Sequence, residues 1–225
     1  MGKIISVANI KGGVSKTSTG IFLATALANN KNQKVLYLDC DSQGSASHYR
    51  ELEKQDMDIP EPYRVRKTDP TFIFDVVADN KPNHDLIFID LPRLTRAEDD
   101  KTIGMILSLC DYILIPITSG ELDNMSTADF VRIVKRIKTA KEKRGHSLKC
   151  AGFPSMTGRV PTEDRASREF MNTLEIPILE HGLPHLRIFY RLETYNSLLD
   201  LGKEKRERFE PFFNEVVEFF NLGNL

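Results

Sequence analysis

Short, almost unbroken apolar runs alternate along this chain with longer stretches in which apolar residues recur at helical spacing. The runs are Lys3–Ala8, Lys34–Asp39, Leu86–Asp90, Tyr112–Pro116 and Leu148–Phe153. Their richness in Ile, Leu and Val predicts strands buried on both faces. Between them, Ser18–Asn29 is rich in Ala and Leu. Phe130, Ile133, Val134 and Ile137 share one helical face, with Arg132, Lys135 and Arg136 opposite. Strand and helix in alternation predict an α/β fold, a mostly parallel sheet flanked by helices. Met57–Pro70, with Pro60, Pro62 and Pro70, breaks the pattern and reads as a surface excursion rather than a linker. The expectation is one domain over residues 1–225. Lys203–Leu222 predicts a final helix, which Pro211 restarts or kinks.

Composition narrows the function classes. The apolar fraction of 40% supports a full core. Lys plus Arg number 31 against 32 for Asp plus Glu, so any nucleic-acid binding must come from a local patch. Cys40, Cys110 and Cys150 are far apart and form no C-x-x-C pair, which predicts reduced core thiols rather than a zinc site or disulfides. The N-terminus runs directly into a strand pattern, and no run approaches transmembrane length, so a cytoplasmic protein is expected.

The candidate chemistry begins at Asn9-Ile-Lys-Gly-Gly-Val-Ser-Lys-Thr-Ser18, directly after the first strand and opening a helix. Gly12 and Gly13 allow a tight turn whose amide N–H groups converge on one concavity. The helix N-terminus behind them favours a polyphosphate. The predicted cradle is Lys11, Gly12, Gly13, Val14, Ser15, Lys16, Thr17 and Ser18. Lys16 brings positive charge to the terminal phosphates, and Thr17 offers a hydroxyl to Mg²⁺. Asp41 closes the second strand in Leu-Asp39-Cys-Asp41-Ser-Gln-Gly44, where a carboxylate can orient water or hold magnesium through water. Without a phosphate loop beside them, Asp39 and Asp41 could instead cap a turn. Asp90 ends the apolar run Leu-Ile-Phe-Ile-Asp and is expected near the magnesium water shell.

The K-G-G-x-x-K-[ST] arrangement, with Ile10 in place of the first glycine of the ordinary phosphate loop, resembles the deviant Walker A family of ParA, MinD and the nitrogenase iron protein. Asp39-Cys-Asp41-Ser-Gln-Gly44 is similar to the ParA pattern D-x-D-P-Q-G-N. Asp90-Leu-Pro92 resembles D-x-P, and Asp111-Tyr-Ile-Leu-Ile-Pro-Ile-Thr118 resembles A-D-x-x-L-I-P-V. The resemblance is sharp through Asp41, good to Thr118 and vague afterwards. It implies a P-loop NTPase-like fold, ATP and Mg²⁺ as ligands, and weak, partner-stimulated ATP hydrolysis. It also implies an ATP-sandwich homodimer in which Lys11 reaches the partner's nucleotide and joins Lys16 and Asp41 in catalysis. Thr17, Asp41 and Asp90 would serve the metal. Ser15 stands where the family has glycine, and Arg93 departs from D-T-P-P.

Within that family, Cys110 and Cys150 do not sit in glycine-rich cluster loops. The final helix pairs its Phe and Val face with Glu210, Glu215 and Glu218, which anionic lipid would repel, so membrane docking is not favoured. No DNA-reading domain is expected before Lys3. The resemblance implies non-specific duplex DNA binding, a nucleoid-associated location and a ParB-like partner. Arg187, Lys203, Lys205 and Arg206 are the candidate DNA contacts, with Arg191 and Arg208 in the same stretch. Arg132, Lys135, Arg136 and Lys138 form a second basic face. The expectation is a ParA-like ATPase that segregates DNA. The alternatives are a MinD-like ATPase that positions a membrane or protein assembly, and a nucleotide-binding switch with negligible turnover.

Overall fold

The computed structural model describes residues 2–92, 99–118, 121–158, 161–187 and 193–224. The apolar runs form β1 (Lys3–Val7), β2 (Val35–Asp39), β4 (Leu86–Asp90), β5 (Tyr112–Ile117) and β6 (Lys149–Thr157). Two further strands, β3 (Arg64–Lys67) and β7 (Leu183–Pro184), complete a seven-stranded sheet of order β3-β2-β4-β1-β5-β6-β7. Every pairing is parallel. The surface excursion expected over Met57–Pro70 therefore contains an edge strand. Its sequence, RVRK, carries one apolar residue, because an edge strand with exposed side chains has little face to bury.

Helices cover both faces. On one side lie α1 (Lys16–Lys31), α2 (Ser45–Asp56) and α7 (Lys203–Phe220); on the other lie α3 (Ile73–Asn80), α4 (Asp99–Leu109), α5 (Glu121–Glu142) and α6 (Pro161–Met171). The first face packs Ile5, Val7, Tyr37 and Phe88 against Phe22, Leu23 and Leu27 of α1. The second packs Ile4, Leu36, Leu38 and Ile87 against Val76, Ile106 and Phe130. Successive residues of each central strand face opposite sides, both covered, which is why nearly all their positions are apolar.

Helix α7 packs on the domain as its Phe and Val spacing predicts. Phe22 meets Phe209 and Phe213 at centroid distances of 5.5 and 6.3 Å. Tyr112 meets Phe220 at 4.9 Å, and Phe153 meets Phe212 at 4.8 Å. The helix runs unbroken through Pro211. The carbonyl that loses its partner there belongs to exposed Glu207 and can be solvated. The three cysteines are buried free thiols. Among the described residues, no helix is long and apolar enough to cross a membrane.

Candidate nucleotide site

The central strand β1 is flanked by β4 and β5, so the loop at its carboxyl end opens where the sheet connections diverge to either side. Asn9 anchors this loop. Its Nδ2 donates to the Pro116 carbonyl (2.9 Å) and the Thr127 hydroxyl (3.1 Å), and its Oδ1 accepts from the Lys11 amide (3.2 Å). Gly12 and Gly13 are exposed, and Gly13 adopts φ 75°, which a side chain would disfavour. Lys16 crosses the turn, its Nζ donating to the Lys11 carbonyl at 2.6 Å. Helix α1 starts at Lys16, so the loop ends on a helix N-terminus with no side-chain cap and no acidic residue in its first turn.

Two acidic strand ends face this loop. Asp39 and Asp90 are register partners on β2 and β4. Asp39 is spent on structure: one oxygen accepts from the Asp41 amide, the other from the Ser47 amide and hydroxyl, which pins the start of α2. Asp41 forms a side-chain turn, its Oδ1 accepting from the Gln43 amide at 3.0 Å. Turn capping thus describes both residues, while Asp41 still borders the loop.

Asp90 differs. It is buried, and its Oδ2 has no hydrogen-bond partner among the described residues. Burial pushes its carboxyl up to about 7; Thr17 and Lys16 pull it down, and the charges of Asp39 and Asp41 push it further up. Desolvation first, then the charges of Asp90 and Asp39, raise Cys40 to about 12, so that thiol is no nucleophile. A desolvated carboxylate with an open oxygen, two acidic neighbours and an adjacent threonine hydroxyl is suited to a divalent cation. No cluster of three or more His, Cys, Asp or Glu residues among the described ones could hold a metal by itself. That fits Mg²⁺, which keeps waters and takes phosphate oxygens rather than a full protein cage. Lys11 is half-buried, and desolvation lowers its ammonium pKa.

Residues 2–80 match the family described as an AAA domain. Over 95% of both chains, this protein is 25% identical to maintenance of carboxysome distribution protein A of Halothiobacillus neapolitanus. It is 32% identical over 124 residues to sporulation initiation inhibitor protein Soj of Bacillus subtilis, covering 54% of this chain and 42% of Soj. The structure of a putative plasmid partition protein from Borrelia burgdorferi bound to AMPPNP superposes with a TM-score of 0.70 at 21% identity, covering 96% of this chain and 98% of that one. In sequence and in fold, this chain is similar to the ParA-like ATPases.

The structure brings Lys16, Thr17 and Asp41 close enough to Asp90 to act on its carboxyl. The candidate DNA contacts lie on other elements: Arg187 follows β7 and is exposed, and Lys203, Lys205 and Arg206 are in the first turn of α7. Several of these cations already have partners. Lys203 lies 3.7 Å from Glu207, Arg208 lies 3.0 Å from Glu204, and Arg206 lies 3.6 Å from Asp200 while donating to the Leu199 carbonyl. The second basic face is likewise offset, Arg132 by Asp129 and Lys135 by Glu175. Arg93 and Arg191 lie outside the described residues.

Sequence reasoning misses three features around the site. Asn9 lies inside the loop motif, but its residue type alone does not mark it as the anchor. Arg50 is 1% exposed, lies between the rings of Tyr63 and Tyr195, and bonds Thr194, Glu61 and the Tyr63 carbonyl, which fixes α2 to the segment before α7. It sits in the polar run HYRELEK, where nothing marks a buried cation. The third is a cavity of about 350 Å³ at the carboxyl end of β6, lined in part by Ser155, Thr157, Arg168 and Met171.

Proposed function

We propose that this protein is an ATP-driven positioning ATPase whose cargo is a large protein assembly, with Mg²⁺-ATP held at the β1–α1 loop and closing a homodimer. The observation that carries the ATPase reading is an uncapped helix N-terminus whose Lys16 and Thr17 lie close enough to buried Asp90, with its open oxygen, to act on that carboxyl. The loop amides and the α1 N-terminus receive the phosphates. Lys16 exchanges the Lys11 carbonyl for phosphate oxygens, a stronger, charge-assisted bond. The Thr17 hydroxyl and Asp90 would hold the magnesium ion directly or through water, and that ion would neutralise charge developing on the phosphates. Asp41 orients the attacking water, and Lys11 crosses to the partner's nucleotide.

The cargo assignment is supported by the relative matched over 95% of both chains, which is named for carboxysome distribution. A second reading, segregation of DNA with a ParB-like partner, is favoured by exposed Arg187 and by the basic first turn of α7. The test is calorimetry and light scattering on the full chain. We expect one Mg²⁺-ATP per subunit, dimerisation with a non-hydrolysable analogue and slow turnover. A protein that stays monomeric with the analogue, or binds no ATP, overturns this reading. Turnover stimulated strongly by duplex DNA together with a small basic DNA-binding protein would move preference to segregation.

A further inference from the structure

Ser15 occupies the loop position where this family has glycine, and its surroundings account for that difference. It adopts φ 67° and ψ 24°, a left-handed conformation that a Cβ disfavours. It is also the N-cap residue of α1, where a serine hydroxyl ordinarily accepts from the helix's first free amides. Ser15 makes no such bond. Its Oγ instead meets the Ser155 hydroxyl on β6 at 2.6 Å, with the Thr19 hydroxyl at 3.4 Å on its other side. Ser155 Oγ also lies 3.3 Å from the Val14 carbonyl, to which it donates. Either hydroxyl can donate within the pair; when Ser155 donates to the Val14 carbonyl, Ser15 donates to Ser155. Both serines are buried.

We propose that Ser155 is a positioning residue for the phosphate loop, acting through Ser15. By engaging the Ser15 hydroxyl it holds that backbone left-handed and keeps the side chain from folding onto the first amides of α1. Those amides are the ones a phosphate needs. Without Ser155, Ser15 is released to the extended conformation of an ordinary N-cap, and its hydroxyl competes with the nucleotide for the same donors. Ser155 also lines the cavity beside the loop, so the tie joins the phosphate and cavity sides through one pair of hydroxyls. A glycine at 15 has no competing side chain and tolerates the left-handed backbone, so it needs no such tie.

The role rests on the ATPase reading, and the experiment separates the two. ATP affinity is measured by calorimetry for S155A, S155T, S15G and S15G/S155A, together with amide exchange of residues 12–18 in the nucleotide-free protein. We expect S155A to weaken ATP binding roughly fivefold to tenfold, the scale of one buried hydrogen bond. S155T, which keeps the hydroxyl, restores it. In the S15G background S155A changes neither ATP binding nor loop exchange. Equal losses in both backgrounds overturn the positioning role even if ATP binds normally. Absence of ATP binding in the unmodified protein overturns the ATPase reading, and the positioning of a nucleotide falls with it, whatever the amide exchange shows.

Discussion

The β1–α1 loop and the first turn of α7 are both rich in polar groups near a helix N-terminus, yet they are built in opposite ways. Around the loop, polar capacity is left open: α1 has no side-chain cap, and Asp90 Oδ2 has no partner among the described residues. Along α7, charge is offset locally, by Lys203–Glu207, Arg208–Glu204 and Arg206–Asp200. Unmet polar groups in a buried setting cost stability and persist where a ligand meets them. Exposed pairs one helical turn apart contribute little stability and cancel the field that a polyanion would feel. Density of charged residues therefore marks a binding surface less well than absence of compensation does.

The largest effect that would sharpen this contrast is on chemistry. Asp41→Ala should lower single-turnover hydrolysis by roughly a thousandfold, within the range for losing a group that handles the attacking water. ATP affinity should survive and the ATP-bound dimer should persist; a wild-type rate would assign the water to another residue. Lys16→Ala should weaken ATP binding on the order of a hundredfold, the loss of charge-assisted bonds to phosphate. Undiminished binding by calorimetry would break the loop assignment.

Next is a pH-dependent gain in stability. Asp90 holds its proton to about pH 7 in the folded, nucleotide-free protein, whereas the unfolded chain releases it near the ordinary aspartate value of 3.8. Between those values the folded state binds more protons, so Asp90 lowers stability progressively as pH rises from about 4 to about 7. Asp90→Asn should then stabilise the nucleotide-free protein above about pH 7 by on the order of 4 kcal/mol. The gain should shrink toward about pH 4 in denaturant titrations. A variant less stable than wild type in mildly alkaline buffer would show that the carboxylate is met, not open.

The smallest effect belongs to α7 and the segment before it. Reversing Arg187 and Lys203 to Glu should weaken duplex binding equally for all sequences and reduce the salt slope by about 2, one for each cation withdrawn from a phosphate. Neutralising Glu204 and Glu207 to Gln should strengthen it. If neither pair of substitutions moves a salt titration with the ATP analogue present, this segment does not face DNA.

Most of the fold could be read from the chain because its central strands are buried on both faces and must be apolar throughout. The strands β1, β2, β4, β5 and β6 announce themselves for that reason. Strand β3 does not, since RVRK at an edge resembles any polar loop. Strand β7 is two residues long, too short for a pattern. The phosphate loop was legible because its chemistry demands residue types at fixed spacing in one segment. Asn9, Arg50 and Ser155 were not, because their roles come from partners 107 to 144 positions away, which only folding brings near. Ser15 was conspicuous as a departure from glycine, but the residue that accommodates it lies on β6.

The aromatic packing of α7 has a consequence for when this protein can form. Phe209, Phe212, Phe213 and Phe220 fill the same cluster as Ile5 and Val7 of β1 and Phe22 of α1. Strand β1 and helix α1 thus complete the burial of their inner face only once the distant helix Lys203–Phe220 is made. Such distant pairings slow folding and leave an early, sticky intermediate exposed during translation. A ribosome-bound chain halted before Lys203 should hold the whole phosphate loop and still fail to protect it from protease. The ability to respond to nucleotide arrives with the helix Lys203–Phe220 and not before.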